Sequence, residues 1–167
     1  MSDVAIETNS PTHNPIDVVE ELVMANEWPF DRSSDDEIAV EISGRWCDYR
    51  LYFVWQDEVS AMQFSCQPDM KVPPARRPPF CELLAEVNGR MWVGHFDASG
   101  DDHTPIFRHA VLLRGARGAS TEQVEDLVEI AVAECERYYP AFQFLIWGGK
   151  TASEAVAAAI LDTAGEA

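Results

Sequence analysis

The chain has 167 residues, 47% hydrophobic and 25% charged, and its 29 acidic against 12 basic residues leave a formal net charge of −17. That length suits one domain with a real core, and the charge argues against nucleic acid or an anionic membrane as partner, since both need clustered Lys and Arg. No apolar run reaches the ~18 residues of a membrane span, and the N-terminus lacks the basic and apolar regions of a signal peptide, so a cytoplasmic protein is expected.

Residues 1–13 are polar and aperiodic and read as a disordered lead-in to a single domain over residues 14–165. Asn14-Pro15 marks a helix start, with Asn14 as cap and Pro15 at the first helical position. Ile16, Val19, Leu22 and Val23 form the apolar face of this helix, which ends near Asn26 because Trp28 precedes Pro29. Residues 32–36 read as a polar turn. Ile38, Val40 and Ile42 then alternate with Glu37, Ala39 and Glu41, the pattern of a half-buried strand. Residues 46–55 read as a second, more buried strand and residues 59–67 as a third, with short links that imply an antiparallel meander.

Residues 68–79 hold five of the ten prolines and form an extended connector. A helix is expected over residues 79–88, with Phe80, Leu83, Leu84 and Val87 inward. Residues 91–96 and 106–113 read as a hairpin of two further strands around the turn Asp97-Ala98-Ser99-Gly100-Asp101-Asp102. The longest periodic segment follows. Val124, Leu127, Val128, Ala131, Cys135, Tyr138, Tyr139, Phe142, Leu145 and Ile146 make one stripe on a helix kinked at Pro140. Ser120 and Gln123 supply a capping box, and Glu122, Glu125 and Asp126 favour the positive end of the helix dipole. Thr151 and Glu154 open an alanine-rich terminal helix. The order predicts an α+β domain: an antiparallel sheet of about five strands flanked by helices, with a long C-terminal helix.

No constellation carries recognisable chemistry. Gly148-Gly149-Lys150-Thr151 ends like a P-loop, but Phe144 stands where the first Gly belongs. No serine sits in a GxSxG turn. Cys47, Cys66, Cys81 and Cys135 form no CxxC pair and are expected as buried reduced thiols, Cys81 on the core face of its helix. His95 and His109 lie in strand patterns as structural histidines, and Trp46, Trp55, Trp92 and Trp147 are most simply core. No catalytic residue, cofactor or metal is assigned. The densest set of potential ligands is Asp97, Asp101, Asp102 and His103, which would serve the alternative reading, a small-molecule or metal-binding domain or an enzyme. Arg76 and Arg77 are the one basic spot on an acidic chain and suit partner docking through a Pro-rich strip. Phe80 belongs to the same strip, and Trp147, before Gly148-Gly149, suits an exposed interface.

The run Tyr138-Tyr139-Pro140-Ala141-Phe142-Gln143-Phe144-Leu145-Ile146-Trp147-Gly148-Gly149 resembles the C-terminal signature of the YbjN-type family of bacterial sensory transduction regulators. Asn14-Pro15-Ile16-Asp17, Glu27-Trp28, the Trp46-Cys47 to Trp55 segment and Pro78-Pro79-Phe80 resemble it as well. The resemblance implies a type III secretion chaperone-like fold and a homodimer, with no catalytic residues to carry over. The resulting expectation is a non-enzymatic cytoplasmic protein-binding domain, chaperone-like or regulatory, with a protein partner and neither nucleic acid nor membrane.

Overall fold

A computed structural model describes residues 12–164. Most of the expected lead-in therefore lies outside the described residues. The sheet has six strands rather than five: β1 (Phe30–Ser34), β2 (Glu37–Ser43), β3 (Asp48–Gln56), β4 (Ala61–Pro68), β5 (His95–Ser99) and β6 (Thr104–Leu112). Their spatial order is β1-β2-β3-β4-β6-β5, and every neighbouring pair is antiparallel. The helices are α1 (Ile16–Ala25), α2 (Arg77–Asn88), α3 (Thr121–Ile146) and α4 (Ala152–Ala164).

The extra strand is β1, where the sequence pattern shows a polar turn. It is an edge strand with a register shift between Asp31 and Ser34. What holds it to the helical layer is Arg32, whose guanidinium bridges Asp17 at 2.9 Å and Glu20 at 2.6 Å on α1. The other displacement is at β5, which begins at His95 instead of residue 91 and continues into the expected turn. Gly94 turns the chain just before it, at φ +68.

Pairing across the sheet separates two faces. Ile38, Val40, Leu51, Phe53, Phe64, Cys66, Phe96 and Phe107 point to one side and are buried. The helices cover that side. Cys135 of α3 meets Cys66 at an Sγ–Sγ distance of 3.8 Å, and Phe142 packs edge-on against Phe80 of α2 and Phe96 of β5. The stripe read from the sequence is the buried face of α3, which runs unbroken through Pro140 for 26 residues. Its capping box forms: the Gln123 amide donates to Ser120 Oγ at 3.1 Å, and the Ser120 amide to Gln123 Oε1 at 2.8 Å. At α1, Asn14 Oδ1 accepts from the Ile16 amide at 2.9 Å.

Three of the four tryptophans expected in the core leave it. Trp55 is buried, whereas Trp46 and Trp147 are exposed and Trp92 is 79% exposed. Trp46 and Trp92 fall in turns outside the strands, and Trp147 caps the end of α3, so none has a pleated neighbour to pack on. Cys81 is likewise exposed, because the buried face of α2 passes through Phe80, Leu83, Leu84 and Val87 instead.

His109 sits on the helical side of the sheet, opposite Phe64. Burial, and then the nearby charge of His95, lowers its pKa from the ordinary imidazole value. As pH falls below about 6.5 the unfolded chain binds a proton that the folded imidazole resists, so this group withdraws stability on the acid side. His109→Gln is expected to flatten the fall of the urea midpoint between about pH 7 and pH 5. An unchanged profile would assign that acid limb to other groups.

Candidate functional site

The four residues expected to dock a partner do not share one surface. Phe80 is fully buried, its ring against Phe142. Arg76 turns inward: its Nε donates to the Leu145 carbonyl and its terminal nitrogen to the Lys150 carbonyl, each at 2.8 Å. Arg77 donates to the carbonyls of Val72 and Asp101. Arg76 thus ties the Pro-rich connector to the end of α3, where the Leu145 carbonyl is one that a helix end leaves open, and Arg77 ties it to the β5–β6 turn. Arg76→Ala is expected to cost about 1–3 kcal/mol in chemical denaturation, the range for a lost charged hydrogen bond. It should also speed amide exchange in the α3–α4 connection. Trp147 alone is an exposed large aromatic at 65% exposure.

The acidic loop is dispersed as well. Asp97 lies 4.0 Å from Arg108 and Asp102 3.7 Å from Lys71, while the Asp101 carbonyl serves Arg77. Among the described residues no group of three His, Cys, Asp or Glu side chains is placed to hold a metal ion.

A different surface emerges where α1, β2 and α3 meet. Glu27 adopts a left-handed φ of 57°, which turns the chain sharply after α1. The turn is locked by the Trp28 amide on the Val23 carbonyl at 3.1 Å and by Asn26 Nδ2 on the Leu22 carbonyl at 2.8 Å. Trp28 is thereby folded back beside α1. Across from it, α3 turns a second stripe outward, one step off the buried one. Leu22, Trp28, Ile42, Val128, Val132 and Ala133 together line a groove of about 510 Å³. Glu125 and Glu129 stand along its α3 side, with Asn26 at the end of α1. Both carboxylates are exposed and neither forms an ion pair among the described residues. Nothing in the sequence joins these parts except the Glu27-Trp28 step and the run of acids opening α3.

The sheet face opposite the helices carries a smaller hollow of about 380 Å³, bordered by Tyr52, Val54, Ser65, His95 and Arg108. Its polar groups belong to four different strands, and Arg108 is shared with Asp97.

The family described as YbjN, "Putative bacterial sensory transduction regulator", matches residues 15–144. The chain belongs to the YbjN family. The match takes in every strand and every residue lining the α1–α3 groove, and stops short of Trp147 and α4. YbjN from E. coli, whose crystal structure is described as that of a putative transcription regulator, superposes with a TM-score of 0.51. That likeness covers 71% of this chain and 84% of the other at 14% identity, and it establishes a shared fold. No curated protein matches the chain. Among the described residues, no helix of this YbjN domain is long and apolar enough to cross a membrane.

Proposed function

We propose that this YbjN domain is a regulatory, chaperone-like binding domain that acts by contact with another protein and catalyses no reaction. The observation that carries the reading is the apolar groove between α1, β2 and α3, open among the described residues, which is built by a locked turn and lies wholly within the family match. Open apolar concavities of that kind on a folded domain mark interaction sites. The family description as a regulator agrees with a domain that binds in order to control. A cytoplasmic setting and a homodimeric state complete the proposal.

The test is site-specific photocrosslinking in the cells that make the protein. A benzophenone side chain at Ala133 is expected to give a discrete protein adduct, and one at Glu58, in the turn between β3 and β4, is expected to give none. Absence of protein adducts from Ala133 and from Tyr52 on the bare sheet face would remove the protein-contact reading. Sedimentation at micromolar concentration reads the oligomeric state, and a single-chain mass throughout would remove the dimer.

A further inference from the structure

We infer that the occupant of the α1–α3 groove is a basic amphipathic helix from a partner protein, with apolar side chains in the groove and Lys or Arg over its α3 side. This rests on the protein-contact reading and names the chemistry of the partner. The groove combines two surfaces in a fixed arrangement. Its floor is apolar, formed by Leu22, Trp28, Ile42, Val128 and Val132. Its α3 wall is acidic, and neither Glu125 nor Glu129 has an ion-pair partner among the described residues.

The charge pattern of α3 is one-sided. Glu122, Glu125, Asp126 and Glu129 open the helix, and no Lys or Arg follows until Arg137. The dipole at the helix start accounts for Glu122 and, more weakly, for Glu125 and Asp126, but its field fades beyond the first turns. Glu129 is two turns in. Glu125 and Glu129 are four apart, so they repel each other on the same side of the helix. Surface charge aids solubility wherever it stands, but that does not call for two carboxylates one turn apart beside an apolar groove. A bound cationic helix removes the repulsion and adds attraction across the rim, where charge sets which partner binds and how fast it arrives. The apolar stripe of such a helix, at positions three and four apart, matches a trough flanked by helices. The rest of the chain agrees in sign. Residues 1–70, which supply α1 and β2, hold 15 acidic and 3 basic residues.

The probe is a short fluorescein-labelled Leu/Lys peptide with helical periodicity, titrated into the full chain and read by anisotropy. Two controls are a scrambled peptide of the same composition and a Leu/Glu peptide of the same periodicity. The Leu/Lys peptide is expected to bind at least about tenfold more tightly than either, with amide shifts at residues 22–28 and 125–133. Glu125→Lys with Glu129→Lys should weaken it about tenfold, and salt near 1 M should weaken the native complex in the same direction. These side chains are exposed, so the double variant keeps its fold. Ala133→Trp, which fills the groove without changing charge, should also weaken binding about tenfold.

Equal binding of the scrambled peptide, shifts confined to the sheet face, or indifference to the Glu125/Glu129 reversal would each overturn the inference. So would a dimer that Ala133→Trp dissociates, which would make a second copy the occupant. Stronger peptide binding after deletion of residues 1–11 would give the groove to the chain's own N-terminus and overturn it too. If the Leu/Lys peptide fails while Ala133 still crosslinks to a protein, the basic helix falls and the protein-contact reading stands; if both fail, both fall.

Discussion

Phe96→Ala is expected to cost about 3–5 kcal/mol of folding stability. Phe96 is the point where the short edge strand β5 enters the core. Its ring packs edge-on against Phe107 at 5.8 Å, Tyr138 at 6.1 Å and Phe142 at 5.4 Å between centroids. It therefore joins β6 to both turns of α3 that surround Pro140. The backbone beneath it cannot sink to fill the space. Asn88 at the end of α2 accepts from the Phe96 amide at 2.7 Å and donates to the Phe96 carbonyl at 2.9 Å. A cavity held open in this way places the cost at the upper end of the range for large-to-small changes. Urea unfolding at constant m-value is the measurement. A loss under about 1 kcal/mol would mean that β5 collapses inward despite the Asn88 clamp.

Gly44→Ala is expected to cost about 2–4 kcal/mol, although it adds a single methyl group at a turn. An added Cβ would lie 2.3 Å from Tyr49 Cε2, 2.8 Å from Tyr49 Cδ2 and 2.9 Å from Glu136 Oε1. Those groups form the latch between the β2–β3 hairpin and α3. The Tyr49 hydroxyl donates to Glu136 Oε2 at 2.9 Å, and the Arg45 amide donates to Glu136 Oε1 at 2.6 Å. Burial, reinforced by the Glu136 bond, raises the Tyr49 pKa far above its ordinary value, so the phenol keeps its proton and remains a donor. Tyr49 is fully buried and cannot swing away. The methyl group must push the hairpin off α3 or break the latch. Either outcome should couple it to Glu136→Ala, and the double variant should be less destabilised than the two single losses together. Strict additivity would show that the turn relieves the clash without disturbing Glu136.

The long helix and the central strands are legible in the sequence because their signals are periodic and redundant. Ten apolar residues in one phase identify α3 despite Pro140, and Ile38-Val40-Ile42 identify β2. β1 carries no such signal. Of Phe30, Asp31, Arg32, Ser33 and Ser34 only one is apolar, and the strand persists through backbone pairing and the Arg32 bridge to α1. The apolar run Met91-Trp92-Val93 places the start of β5 too early. The deciding feature is Gly94, where a Cβ would stand 2.4 Å from Phe107, a contact that only the assembled sheet reveals. Arg76 and Arg77 look like free charges because sequence does not show which distant carbonyls, at the end of α3 or in the β5–β6 turn, the fold brings to them. The groove is hidden for a related reason. Glu125 is legible as a residue near a helix start, but its position across from Trp28 depends on a left-handed residue at Glu27, and a glutamate there gives no warning of that geometry.

The placement of β6 between β4 and β5 also governs how the chain can assemble. β1 to β4 join through short links, and β5 and β6 through one tight turn, so each set can form from near neighbours along the chain. The seam between them, Ala61–Leu112 to Cys66–Phe107, closes a loop of about forty to fifty residues that contains the proline connector and α2. Closing that loop carries the largest entropic cost in making the sheet, and contacts so far apart in sequence slow folding. Substitutions at the seam, at Phe64 or Phe107, should therefore retard refolding, whereas loss of the β1 edge should mainly hasten unfolding.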